Sequence, residues 1–417
     1  MQSNYRPIGD YIQLVDERNV DLQVTTLLGL SISKQFIHSV ANTVGTNMRN
    51  YKIIRKNQFA CSTMQVRRDR KMPVALLKDI DEAIISQAYP VFEIVDTDKL
   101  LPEYLMMWFS REEFDRQAEF LAVGGVRGTL EWEDFLEMEL PVPSLEKQQE
   151  IVNEYNIIAN RIKLNDQLND KLEETAQAIY KHWFVDFEFP NKNGEPYKSS
   201  GGVLVYNDKL DREIPKGWET GSLDNLSTQF SGFAFKGDKY SLKEGITVVR
   251  GENVTEKRLR WDTHKKWNLE LDGRMKKCFL EANDILIGMD GSKVGKNWSL
   301  VSNFELPLLL AQRVTSIRGN QGYQSLYLYL SLYVLNFAEY VSQVQTGTSV
   351  PHISGQQIKD FPLLIPNDLR LKQFDSIIKP LFERVFINIE SSRMLEELKD
   401  LLLAKMATVE KEFELTM

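Results

Sequence analysis

Between Pro143 and Pro190 the chain contains neither glycine nor proline, and this unbroken run constrains the fold more than any other feature. Within it Ile151, Tyr155, Ile158, Ile162, Asn165, Leu172, Ile179 and Trp183 recur at steps built from three and four residues. That spacing lays one stripe along one face of a helix. Residues 146–184 as a single helix make a rod of about 58 Å at 1.5 Å per residue. Such a rod is too long for the core of one small domain. It reads as a spacer or coiled-coil arm with a globular domain on each side.

A chain of 417 residues has room for two to four domains, and 42% hydrophobic content supports real cores. No run of eighteen apolar residues occurs, so a membrane is not an expected partner. The start, MQSNYRPIGD, lacks the apolar segment of a secretory signal. Cys61 and Cys278 lie in separate regions, as do His38, His182, His264 and His352, so neither a disulfide framework nor a zinc site is expected. A cytoplasmic location follows. The net charge of −8 argues against nucleic-acid binding if taken alone. Its distribution argues otherwise. Residues 218–318 hold sixteen Lys and Arg against thirteen Asp and Glu, a local +3. A second basic concentration runs from Arg49 to Lys71. Positive groups gathered on one surface let an acidic protein bind DNA.

Taken in order, residues 1–143 read as a mixed domain, with strands around Ile53-Ile54, Gln58–Cys61 and Val74–Leu77, and a helix from Pro102 to Phe120. The alternation Leu136, Met138, Leu140, Val142 predicts a strand. Residues 144–189 are the first long helix and 190–217 a polar connector. Residues 218–366 form a second mixed domain, with strands Thr247–Arg250, Asp284–Met289 and Val314–Ile317 and a helix from Ser325 to Val341. Residues 367–410 are a second long helix without glycine, and 411–417 a tail.

The second helix repeats the first at an offset of 223 residues. Pro143 falls on Pro366, Ile151 on Phe374, Ile158 on Leu381, Ile162 on Val385, Ile179 on Leu402 and Trp183 on Met406. Amphipathic helices can always be slid into apolar phase, so the polar matches carry more weight. Asn165 falls on Asn388, and Leu172-Glu173-Glu174 on Leu395-Glu396-Glu397. Ahead of the helices Phe135 falls on Ile358, Leu140 on Leu363 and Val142 on Ile365. The order is therefore domain, rod, domain, rod. Two rods with apolar stripes bury each other most simply as an antiparallel pair with approximate internal twofold symmetry. The asparagines then lie at or near the seam, or face solvent if the heptad phase drifts. Pro380 lacks a counterpart, since its partner position is Ile157; it predicts a late start or a kink.

Catalytic motifs are not found. Asp290-Gly-Ser-Lys-Val-Gly-Lys-Asn297 evokes a phosphate loop but has Asp290 where the first glycine belongs and Asn297 where Ser or Thr belongs. Nothing supports a nucleophile–base site, a metal centre or a cofactor fingerprint, and no catalysis by this chain alone is expected. The candidates for DNA contact are basic: Arg49, Arg55, Arg67, Arg68, Arg70 and Arg127 in the first domain, and Lys236, Arg250, Arg258, Arg260, Lys265, Lys293, Lys296 and Arg313 in the second. Arginine pairs with guanine edges and lysine neutralises phosphate. Two polar loops, Gly124–Thr129 and Gln345–His352, either approach DNA or pack under the rods.

The whole pattern resembles the specificity subunit of Type I restriction–modification systems. The resemblance rests on the duplicated domain-and-rod order, on Leu140-Pro-Val-Pro143 and Phe361-Pro-Leu-Leu-Ile-Pro366 before Gln149 and Gln373, on Asn283–Ile287 with Gly291–Lys296, and on Gly347–Ile353. It implies an α+β fold with two target-recognition domains separated and followed by long helices in an antiparallel coiled coil. It implies that each domain reads one part of a split double-stranded DNA target, with the rods fixing a gap near one helical turn, about 34–36 Å. It further implies two modification subunits that methylate adenine N6 from S-adenosylmethionine, and restriction subunits using ATP and Mg, with no cofactor on this chain. A coiled-coil scaffold that holds protein partners without reading DNA is the alternative.

Overall fold

A computed structural model describes residues 5–39, 46–123, 128–261, 264–347 and 351–408. The chain divides into two compact units, Met1–Leu164 with Ser392–Met417, and Asn165–Ser391. Each unit therefore takes one part of each long helix.

In the first unit a four-stranded antiparallel sheet has the spatial order Ile12–Val15, Val91–Ile94, Phe59–Cys61, Val74–Leu76. Helices Pro102–Phe109 and Glu112–Leu121 pack with it around Phe59, Phe92, Phe109 and Phe135. The sequence predicts one helix here; the chain instead restarts at Arg111, in extended conformation. The predicted strand from Leu136 also begins later. Residues Trp132–Glu137 form a helical turn, and the strand is Glu139–Pro141, paired with Tyr5–Pro7. The apolar alternation continues through both because Phe135, Met138 and Leu140 all point into the core.

The second unit repeats this plan. Its sheet runs Ser227–Ser231, Val314–Gly319, Ile285–Gly288, Trp298–Leu300. Alongside lies Ile246–Val249, parallel to Leu308–Leu310. The predicted helix at Ser325 is again two, Ser325–Val334 and Phe337–Val344, divided at Asn336, which takes the left-handed conformation and caps the second helix through Glu339 N. A buried hydrogen bond marks the repeat. Tyr104 donates to the Pro141 carbonyl at 3.1 Å in the first unit, and Tyr327 to the Leu364 carbonyl at 2.7 Å in the second. Both members of the pair are displaced by the offset of 223.

The long helices are Leu145–Tyr180, extended by a π turn over Lys181–Val185, and Asp368–Lys405. Pro380 lies inside the latter without ending it, on an exposed face. In the first unit the start of one helix meets the end of the other: Leu403 and Met406 share a core with Ile151 and Val152, and Tyr155 packs against the same core. In the second unit the relation is reversed, with Tyr180 and Trp183 about 6 Å from the ring of Phe374. The packing is thus antiparallel in both. Of the stripe residues named from sequence, Ile151, Trp183, Phe374, Val385 and Met406 are buried, while Tyr155, Ile158, Ile162, Leu172, Ile179, Leu381, Leu395 and Leu402 are half-buried. Their neighbours Ala176, Tyr180, Phe382 and Leu403 share the seam.

Asn165, Asn169 and Asn388 are buried together in the second unit. Asn388 Nδ2 donates to Asn169 Oδ1 at 2.8 Å, and Asn165 Nδ2 lies 3.5 Å from the Asn388 carbonyl. The asparagines that the repeat makes equivalent thus face each other. Residues 190–217 are ordered: Tyr197 and Trp218 stack on Phe189 at 4.5 and 5.0 Å, and Leu204–Asn207 pairs with Arg212–Pro215. Among the described residues no helix is long and apolar enough to cross a membrane, and no group of three or more His, Cys, Asp or Glu is placed to hold a metal ion.

Candidate nucleic-acid interface

The two basic turns singled out by sequence are held by the same main-chain scheme. In the first unit, Arg67 N donates to the Gly128 carbonyl at 3.2 Å and Leu130 N to the Thr63 carbonyl at 3.0 Å. In the second, Gly291 N donates to the Pro351 carbonyl at 3.1 Å and Ile353 N to the Met289 carbonyl at 2.9 Å. Each turn is therefore stitched to the loop that precedes the short helix at Trp132 or Gly355. The loop residues match at the offset of 223. Gly128 sits at φ +63°, and a Cβ there would lie 2.4 Å from Arg67 Cβ, so glycine is required for the approach.

On the first turn Arg67, Arg68 and Arg70 are exposed. Arg68 pairs with Asp69 at 2.7 Å and Arg70 with Glu119 at 3.7 Å. Arg70 and Gln65 both adopt left-handed conformations at the ends of the turn. Arg49 is exposed on a 3-10 turn capped by Asn47. Arg55 lies on the strand Lys52–Arg55 and is engaged by Glu17 and Glu82, each at 2.7 Å. Its guanidinium holds the Glu17 carboxyl below the usual range. Arg127 lies outside the described residues, as do Gly124–Val126 and Thr348–Val350.

On the second unit Lys293 and Lys296 are exposed on the Asp290–Lys296 turn. Arg250, Gln312 and Arg313 meet at one cleft, also lined by Phe235, Tyr240, Glu252 and Asp290. Three strand ends deliver them: Arg250 follows Ile246–Val249, Gln312 follows Leu308–Leu310 and Arg313 precedes Val314–Gly319. Lys236 is exposed on the segment beside Gly237 at the rim. Lys265 is half-buried on the far side of the Ile246–Val249 strand, where its carbonyl accepts from Val248 N. Arg260 is exposed on the neighbouring hairpin, its carbonyl accepting from buried Asn253. Arg258 is directed elsewhere, 3.3 Å from Asp166 on the long helix. Beside it Lys257 bridges Asp170 and Glu173 at 3.4 and 2.8 Å. These contacts strap the second mixed fold to the first long helix. Sequence reading missed Lys257 and Gln312; the first occupies a left-handed turn between Val254 and Leu259, which local composition does not announce.

One family model, the Type I restriction modification DNA specificity domain, matches the chain twice, over residues 37–174 and 215–399. The chain belongs to this family. Its general role is that of a noncatalytic DNA-specificity subunit of a Type I restriction–modification system. Two curated relatives agree with this. The Type I restriction enzyme MjaIX specificity subunit of Methanocaldococcus jannaschii is 26% identical over 75% of this chain and 70% of its own length. The Type I restriction enzyme HindI specificity subunit of Haemophilus influenzae is 21% identical over 90% of this chain and 91% of its own. The fold is also that of a solved Type I restriction–modification S subunit from M. genitalium, with a TM-score of 0.56 at 14% identity, covering 97% of this chain and 95% of that one. In this specificity subunit the two family matches each take in much of one recognition fold and most of the long helix after it.

Proposed function

We propose that each globular fold of this specificity subunit reads one half of a split double-stranded DNA target, with domain limits at 1–143 and 218–366. The helices 144–189 and 367–410, joined through the connector 190–217 and followed by the tail 411–417, fix the gap between the half-sites. The observation that carries this reading is the duplication itself, maintained to the level of single hydrogen bonds at Tyr104 and Tyr327. A frame repeated this closely, carrying different basic side chains on each copy, suits two readers with different targets.

In this reading Arg49, Arg55, Arg67, Arg68, Arg70 and Arg127 serve the first half-site, and Lys236, Arg250, Arg260, Lys265, Lys293, Lys296 and Arg313 the second, while Arg258 is engaged by Asp166 on the long helix. Two modification subunits bring S-adenosylmethionine and methylate adenine N6 after the base leaves the stack. Restriction subunits bring ATP and Mg, and the assembly works in the bacterial or archaeal cytoplasm. The test is a map of methylated adenines in genomic DNA from cells with and without this chain. Methylation at one bipartite sequence of constant gap, lost with the chain, is the expected result. Methylation that is unchanged without the chain sinks the proposal.

A further inference from the structure

We infer that Arg313, held by Asp290, reads a base edge in the second half-site, with Arg250 and Gln312 beside it. The inference rests on the split-target reading above and goes further by separating base readers from phosphate contacts. Arg313 Nη1 lies 2.9 Å from Asp290 Oδ2, with the arginine side chain 71% exposed and the carboxylate 23%. The pair sits where two paired strands end, since Met289 N donates to the Arg313 carbonyl at 3.0 Å. Arg250 is arranged in the same way: Glu252 lies 2.7 Å from its Nη1, the ring of Tyr240 is 5.8 Å from its guanidinium, and its own amide is capped by Asn253 at 2.9 Å. Two arginine forks, each steadied by a carboxylate, therefore open on one cleft.

A carboxylate beside each fork disfavours a phosphodiester, which it would repel, and suits a base pair. Arginine donates to guanine O6 and N7, a carboxylate accepts from cytosine N4, and glutamine pairs with adenine. Arg313 also holds φ at +67°, a left-handed conformation that non-glycine residues adopt at a cost and that collects at functional sites. At the offset of 223 the first unit has Pro90, so the side chain is not shared between the units, as expected of a residue that distinguishes one half-site from the other.

The test uses the complete modification complex and a duplex library with the second half-site randomised. Arg313→Gly keeps the left-handed backbone without strain, so loss of the fold does not confuse the result. The expected outcome is that preference at one or two positions of that half-site relaxes by about 10-fold or more, while the first half-site and the salt dependence of binding stay unchanged. The paired variant K293Q/K296Q should instead weaken all sequences alike and reduce the salt slope by about 2. Uniform weakening by Arg313→Gly, with a reduced salt slope, would show a phosphate contact and overturn the inference, as would no effect at all. A wild-type complex that shows no bipartite preference overturns the split-target reading as well, whereas a bipartite wild type with an unaltered variant overturns this assignment alone.

Discussion

Lys34 carries its ammonium group into the first unit, 2.8 Å from the Asp115 carboxylate and 5.2 Å from the Phe114 ring centre, and donates to the Phe109 carbonyl. Burial holds its pKa below the ordinary lysine value, although Asp115 acts the other way. In the unfolded chain the same lysine titrates near 10.4. Between the lowered folded value and about 10.4 the unfolded state binds more protons, so stability rises with pH across that window. Urea midpoints measured up to pH 10.5 should show this rise, and Lys34→Met should abolish it. At neutral pH the same variant should cost about 3–5 kcal/mol, because it leaves Asp115 buried and unpaired. None of this was legible in the sequence, where Lys34 reads as an ordinary charge in the polar stretch Ser31–Gln35. Gln148 is a similar case. It is fully buried and binds Leu101 N, the Lys99 carbonyl and the Pro143 carbonyl at 2.9, 2.8 and 2.9 Å, fixing the helix start to the domain. In sequence it is one of two adjacent glutamines on a helix, and nothing distinguishes it from Gln149.

For the elements, the helices were legible because period and punctuation agree over many turns. Their interruptions were not, since the break at Asn336 depends on one residue turning left-handed. Asn165 and Asn388 were legible as paired positions through the repeat, but Asn169, which completes the layer, was not, since its offset partner is Ser392. The Asn169 Nδ2 is buried without a hydrogen-bond partner among the described residues. Asn388→Leu alone should therefore destabilise by about 1–3 kcal/mol, since it also strands the Asn169 carbonyl oxygen. Leucine at all three positions should recover that loss, because no polar atom remains to be satisfied. Denaturant unfolding of the two variants beside the unaltered protein distinguishes the cases. Pro380 gives a second prediction. It lacks the amide that an α-helix interior uses, and replacement by alanine should stabilise the helix by up to about 3 kcal/mol. Slower amide exchange across residues 376–384 would report it.

At the scale of the whole molecule, the duplication was readable from a few polar matches at one offset. The proposed reading surface was only partly so, because a list of basic residues does not say which strand ends converge. The structure gathers Arg250 and Arg313 at one cleft and sends Arg258 to the long helix. If the helices set the gap, adding seven residues to each, next to Asn165 and Asn388, lengthens the pair by about 10 Å. That equals about three base-pair steps of 3.4 Å. Methylation mapping should then find a gap longer by about three base pairs, with both half-sites unchanged; an unchanged gap would refute the ruler.

The loops beside the basic turns are fastened by amides and carbonyls, as between Arg67 and Gly128 or Gly291 and Pro351. Main-chain fastening is indifferent to most substitutions. Side chains on these turns can therefore drift through generations without a toll on folding, so that, on the proposed reading, a lineage changes the DNA it recognises while keeping the frame that presents the turns. A library varied at residues 68 and 70, both exposed on the first turn, should yield folded protein almost throughout and differ mainly in the DNA it prefers.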